Sequence, residues 1–226
     1  MTELIIFDCD GVLVDSEPLS ARATALALAE FGVPIDAAEA LRLFTGITFS
    51  AAVARVRADY GVDLPAAYAL RHAECIEQEF RRYLQPMDGA VETLSRLGVP
   101  CCVGSNSSQA RLALTFECTG LAPFFRGHVY SGEDVAHAKP APDLFLHAAS
   151  RFDADPVRCL VVEDSPAGIT AAVRAGMPAI GFVGGGHANP ALRQRLLDAG
   201  ACWIVDDFRK ITEHLDHPFP SRNTHE

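Results

Sequence analysis

Asp8 and Asp10 stand on either side of Cys9, directly after the apolar run Leu4-Ile5-Ile6-Phe7, and Gly11 follows them. Aspartates are seldom buried without a partner, so a carboxylate pair here needs a cation, a set of hydrogen-bond donors or water. An ordinary strand ending in an acidic turn would read the same way, and other polar groups have to decide. Ser105-Asn106 follows Cys101-Cys102-Val103-Gly104, and Glu163-Asp164-Ser165 follows Cys159-Leu160-Val161-Val162. Between them lies the loop Ala136-His137-Ala138-Lys139-Pro140-Ala141-Pro142-Asp143, which carries one of the only two lysines in the chain, Lys139 and Lys210. Carboxylates can serve as nucleophile, acid, base or ligands of a hard cation. With a hydroxyl, an amide and an ammonium beside them they suit phosphate chemistry.

These groups can act together only if the chain brings them to one place. Short, continuously apolar runs suit strands buried on both faces of a parallel sheet. Strand carboxyl ends of such a sheet all face one side, where open α/β folds bind their ligands. From residue 86 onward the pattern alternates. Helices are expected near 88–97, 108–118, from the Lys139 loop to 150, at 166–175 and at 190–198; strands are expected at 100–105, 128–130, 158–162, 179–183 and 202–205. This alternation predicts right-handed βαβ units. Between residues 17 and 85 no strand-like run occurs, and helical spacing over 21–31, 36–44, 49–60 and 65–84 is broken at Pro34, Gly46, Gly61 and Pro65. The expected class is α/β: a Rossmann-like parallel sheet core of residues 1–16 and 86–213, with a small all-helical cap of residues 17–85 inserted after the first strand. The tail, 214–226, is polar and contains Pro, and is expected to fray.

The formal net charge of -10 over 226 residues leaves no sequence-wide basic surface for nucleic acid or an anionic membrane. No basic-then-apolar leader opens the sequence, and the first apolar run is too short to span a bilayer. The 7 cysteines form no CxxC pair and do not cluster with histidines at zinc-ligand spacing, as expected of reduced core residues in a cytoplasmic protein. Partners are therefore expected to be small molecules, and the chain a monomer or weak homodimer.

Four stretches together resemble the haloacid dehalogenase superfamily, in its beta-phosphoglucomutase-like branch, which includes sugar-phosphate phosphatases. They are Phe7-Asp8-Cys9-Asp10-Gly11-Val12-Leu13-Val14-Asp15-Ser16-Glu17, Gly104-Ser105-Asn106, Ala138-Lys139-Pro140-Ala141-Pro142-Asp143 and Val162-Glu163-Asp164-Ser165-Pro166-Ala167-Gly168-Ile169. The resemblance implies that Asp8 is the nucleophile and forms an aspartyl-phosphate, and that Asp10 is first general acid and then general base. It implies Mg²⁺, held by an Asp8 carboxylate oxygen, the Asp10 main-chain carbonyl and Asp164, with Glu163 a direct or water-mediated ligand. Ser105 would donate its hydroxyl, and Asn106 a backbone N–H, to the phosphoryl oxygens, while Lys139 would supply positive charge and hold Asp8.

Within that family Asp10 argues against dehalogenation, and the absence of lysine from 17–85 argues against Schiff-base phosphonatase chemistry. A beta-phosphoglucomutase-type phosphotransferase would carry a histidine near Ser20, an arginine near Phe49 and a cap lysine, and this chain has none of the three. A Mg²⁺-dependent phosphatase acting on a small phosphate monoester, such as a sugar phosphate or phosphosugar acid, is the reading left. A non-catalytic binding protein of the same fold would usually lack one of Asp8, Asp10, Lys139 or Asp164. The cap must read the rest of the substrate, and Arg71 and His72, ahead of Arg55 and Arg42, are its candidates, each also compatible with a solvated helix face. Cap hinges are expected near Asp15–Pro18 and Gln85–Pro86. Asp15, Glu17 and Asp143 read as helix-start acids. Gly184-Gly185-Gly186 lacks the spacing of a dinucleotide loop and reads as a strand-to-helix connection, with His187 and His137 as surface residues.

Overall fold

The computed structural model describes residues 1–215. Six strands form one parallel sheet: β1 (Leu4–Phe7), β2 (Cys101–Ser105), β3 (Val129–Ser131), β4 (Cys159–Glu163), β5 (Ala179–Phe182) and β6 (Trp203–Val205), ordered β3-β2-β1-β4-β5-β6. The order reverses at β1, which pairs with β2 on one side and β4 on the other, Phe7 lying level with both Val103 and Val162. That reversal opens a crevice beyond the strand carboxyl ends, and Asp8, whose N–H still donates to the Val162 carbonyl at 2.9 Å, sits at its mouth.

All four β1 side chains are fully buried, as an apolar run covered on both faces requires. Leu4 and Ile6 join Leu144, Phe145 and Ala148 of α8 (Asp143–Ser150) and Ile169 and Ala172 of α9 (Pro166–Arg174) in one cluster. Phe7, pointing the other way, stacks on Phe208 at 5.5 Å and meets Phe125 edge-on at 6.4 Å. The remaining helices of this unit are α5 (Ala90–Arg96), α6 (Gln109–Thr119), α7 (Ala122–Phe125) and α10 (Pro190–Asp198). The four-residue α7 and three short 3-10 segments, at Gly132–Asp134, Pro156–Arg158 and Phe208–His214, were not expected, because one or two turns are too short to show a hydrophobic period. His214 closes the last of them against the Trp203 ring, and the Leu215 carbonyl accepts from Thr2 Oγ1 at 2.9 Å. Residues 216–226, the rest of the segment expected to fray, lie outside the described residues.

The chain separates into two compact units, one of Met1–Val14 with the chain from Pro86 onward, the other of Asp15–Gln85. The second contains only helices: α1 (Glu17–Glu30), α2 (Ala37–Phe44), α3 (Phe49–Tyr60) and α4 (Ala67–Tyr83). Asp36 caps α2 by accepting from Glu39 N–H, and Thr48 caps α3 by accepting from Ala51 N–H, so two of the helix starts follow from local sequence. Small residues let α1 pack closely, with Ala21 and Ala25 against Ala40. No single helix among the described residues is long and apolar enough to cross a membrane.

Candidate active site

Lys139 organises the carboxylates at the strand ends. Its ammonium donates to Asp8 Oδ1 and to Glu163 Oε1, each at 2.6 Å, and its side chain is 2% exposed. Asn106 holds the lysine's backbone on both sides: the amide Nδ2 donates to the Lys139 carbonyl at 3.1 Å, and the Lys139 N–H donates to Asn106 Oδ1 at 3.0 Å. The Asn106 side chain thus has a positioning role that sequence reasoning did not assign. Glu163 is held on its other oxygen by the Ser165 N–H and hydroxyl, at 2.9 and 2.8 Å.

Asp8, Glu163 and Asp164 can each offer a ligand atom within 4.8 Å of the others, and all three are buried. Three carboxylates against the one ammonium leave an excess of negative charge in a poorly solvated space. Burial therefore pushes the Asp8 carboxyl well above the usual range, with Glu163 and Asp164 adding to the rise against the opposing pull of Lys139. Asp164 is raised for the same first reason, partly offset by its hydrogen bond to His187. Burial works against the Lys139 ammonium, but Asp8 and Glu163 outweigh it and its pKa is raised. Such a group of oxygens must take up either protons or a hard cation, and the donor set, all carboxylate, fits Mg²⁺ and not a soft metal.

Asp10 lies beside this cluster and is held differently. Ser107 Oγ donates to its Oδ2 at 2.5 Å and Arg111 Nη2 to its Oδ1 at 3.1 Å. Neither partner was singled out from the sequence. Ser107 had a signal, two residues beyond Ser105 in the same strand-end loop; Arg111, on α6, had none. Ser105 is 2% exposed, and its Oγ accepts from the Ser107 N–H at 3.2 Å, which leaves the hydroxyl proton able to donate elsewhere. Cys9 is fully buried; burial, then the charges of Asp10 and Asp8, push its thiol far up, so it packs and does not react.

His187 corrects an expectation. Its side chain is 9% exposed, and Nε2 lies 3.1 Å from Asp164 Oδ2. His137 is exposed as expected and pairs with Asp143, a first-turn acid of α8, at 3.2 Å.

In the helical unit, Arg71 and His72 are neighbours on α4. The Arg71 guanidinium is bidentate on Glu30 at 2.7 to 3.0 Å and reaches Glu74 at 3.1 Å, so an anionic group would have to compete with two carboxylates for it. His72 Nε2 is 3.0 Å from Thr24 Oγ1, and its ring packs with Phe49 and Tyr68. Arg55 likewise pairs with Asp59, and Arg42 lies 3.9 Å from Glu39.

One helix position tests this geometry. A Cβ on Gly168 would fall 1.8 Å from the Glu163 carboxylate. Gly→Ala inside a helix ordinarily stabilises by roughly 0.5–1 kcal/mol. Gly168→Ala is expected to do the reverse, lowering the thermal midpoint and the phosphatase rate together, since Glu163 must leave Lys139. A midpoint above wild type with full activity would contradict the observed Glu163 placement.

Residues 2–176 match the family described as haloacid dehalogenase-like hydrolase. The chain is 31% identical over 196 residues to the 6-phosphogluconate phosphatase of Escherichia coli, covering 86% of this chain and 88% of that protein. It is 32% identical over 177 residues to the fructose-1-phosphate phosphatase of the same organism, covering 78% and 94%. Among solved structures, a conserved haloacid dehalogenase-like protein from Agrobacterium tumefaciens superposes with a TM-score of 0.85 at 39% identity, covering 94% of this chain and 97% of that one.

Proposed function

The chain belongs to the haloacid dehalogenase-like hydrolases and is a phosphoric monoester hydrolase, and we propose that it removes phosphate from a small sugar phosphate or phosphosugar acid through an aspartyl-phosphate on Asp8. The observation that carries this reading is the Lys139 ammonium bridging Asp8 and Glu163 beside Asp164, with Asp10 just beyond β1 and Ser105 at the end of the adjacent β2. The specificities named for the two bacterial phosphatases support the substrate class.

Lys139 holds Asp8 Oδ1, so Oδ2 is the oxygen we assign to attack on phosphorus. As the new P–O bond forms, the ester P–O bond breaks and Asp10 gives its proton to the leaving oxygen. Asp10 then takes a proton from water, which attacks phosphorus and releases inorganic phosphate and free Asp8. Ser105 and the Asn106 N–H donate to the phosphoryl oxygens, and Lys139 balances their charge. Asp8, Asp164, the Asp10 main-chain carbonyl and Glu163 would hold Mg²⁺, which when bound supplies the charge neutralisation that lets a carboxylate approach a phosphate. Arg71 and His72 are the cap side chains proposed to read the remainder of the substrate. The free state of all 7 cysteines supports a cytoplasmic setting, and we propose a monomer or weak homodimer.

A panel of phosphorylated metabolites, assayed for Mg²⁺-dependent phosphate release, tests the reading. The highest kcat/KM should fall on sugar phosphates or phosphosugar acids; no release from any ester by a protein that still binds Mg²⁺ would sink it. Metal binding has its own thermal signature. An acid whose folded pKa is raised contributes stability present below its unfolded value and lost as pH rises through the folded one. Raised Asp8 and Asp164 therefore make the metal-free protein less stable as pH climbs above the ordinary carboxylate value of 3.8. Mg²⁺ needs the ionised carboxylates, so the rise in midpoint on adding it should be larger at about pH 8 than at about pH 5. An equal rise at both would argue against these ligands.

A further inference from the structure

The run Gly184-Gly185-Gly186-His187 after β5 has no part in the phosphate chemistry above, yet its geometry is specific. His187 Nε2 and Asp164 Oδ2 are 3.1 Å apart, with the two side chains 9% and 10% exposed. An ionised carboxylate only accepts, so Nε2 carries the hydrogen and donates. The backbone around the pair is glycine where a side chain would intrude. A Cβ on Gly11 would lie 1.8 Å from Asp164 Oδ2 and 3.0 Å from His187 Cε1; one on Gly185 would lie 2.9 Å from His187 Nδ1 and 3.2 Å from the Gly11 carbonyl. Two loops distant in sequence thus leave room for the same ring.

A buried histidine with a satisfied partner is commonplace, and the identity of the partner makes the difference here. Lys139 reaches Asp8 and Glu163, and Ser165 also holds Glu163, whereas among these residues it is His187 that reaches Asp164. We propose that His187 is a positioning residue for the divalent cation, donating to Asp164 Oδ2 so that the carboxylate is fixed with Oδ1 left to the metal. The glycine run is then the means by which β5 delivers the ring. This assignment rests on the metal site proposed above.

The test is Mg²⁺ binding by the full-length, EDTA-treated protein, followed by titration calorimetry with no substrate present. Orienting partners of metal ligands are typically worth about 10- to 100-fold in affinity, and His187→Ala is expected to weaken Mg²⁺ binding by that factor. His187→Phe keeps a ring in the space and removes the donor, and should lose as much, which separates the hydrogen bond from packing if the alanine variant fails to fold. His187→Gln, whose amide nitrogen can approach the same oxygen, should recover most of the affinity. Wild-type or tighter binding in His187→Phe would overturn the assignment, tighter binding because it would mean that the ring competes with the metal. An equal loss in His187→Gln would overturn the donor role. Absence of Mg²⁺ binding in the wild-type protein would overturn both the metal site and this assignment, whereas normal wild-type binding with unchanged variants overturns the assignment alone.

Discussion

The Asp8→Asn protein is expected to lose turnover by on the order of 10⁴–10⁶-fold, the range seen when a nucleophile or its essential partner is removed from a covalent mechanism. An amide oxygen is a poor nucleophile, and no other carboxylate occupies the position: Glu163 is held by Lys139 and Ser165, and Asp10 by Ser107 and Arg111. The same substitution should not destabilise the metal-free fold. Burial and the neighbouring charges of Glu163 and Asp164 disfavour the ionised Asp8, so a neutral isostere relieves a penalty, while Lys139 keeps Glu163 as its counter-ion. The expected result is a metal-free thermal midpoint at or above wild type, a smaller stabilisation by Mg²⁺, and no phosphate release. Steady-state rates near wild type would exclude an aspartyl-phosphate on Asp8.

Lys139→Met should damage both stability and rate. Methionine keeps most of the apolar stem but removes the charge between Asp8 and Glu163, whose side chains are 11% and 1% exposed. Breaking a buried ion pair from one side costs about 3–5 kcal/mol, because the stranded charge stays buried. That loss should depend on pH in a definite direction. Without the ammonium, which pulls against its rise, the Asp8 carboxyl goes up further, and an acid with a raised folded pKa loses its stabilising contribution as pH rises. The deficit relative to wild type should therefore be larger at about pH 8 than at about pH 5. In Mg²⁺, kcat is expected to fall by roughly 10²–10³-fold, the usual effect of removing one group that stabilises transition-state charge. Denaturant unfolding at the two pH values, paired with initial rates, separates the effects. A deficit that shrinks as pH rises would show that Lys139 does not hold these carboxylates.

How far the site could be read in advance depended on the distance over which each contact acts. Asp8, Ser105 and the pair Glu163-Asp164 each follow a buried apolar run, and a parallel sheet sends every such end to one side, so their convergence could be argued from one-dimensional order. Lys139 stood out because lysine is nearly absent from the chain. Local signals also carried the helical segment, since helical spacing broken at Pro34, Gly46, Gly61 and Pro65 marks its helices within contiguous chain. Contacts between distant segments left no such trace. Arg111 reaches Asp10 across 101 positions, and Arg71 meets Glu30 across 41. On sequence spacing alone, each arginine reads as an ordinary cation on a helix face.

The sequence by itself determined the parallel α/β sheet, the reaction class and the residues at the strand ends, because buried-strand patterning and short motifs are properties of contiguous chain. Only the tertiary structure decided what holds those residues: Asn106 on the Lys139 backbone, Ser107 and Arg111 on Asp10, and His187 on Asp164. The physical reason is that a hydrogen bond between side chains depends on a separation of about 3 Å in space, which loops of variable length can close from almost any separation in sequence.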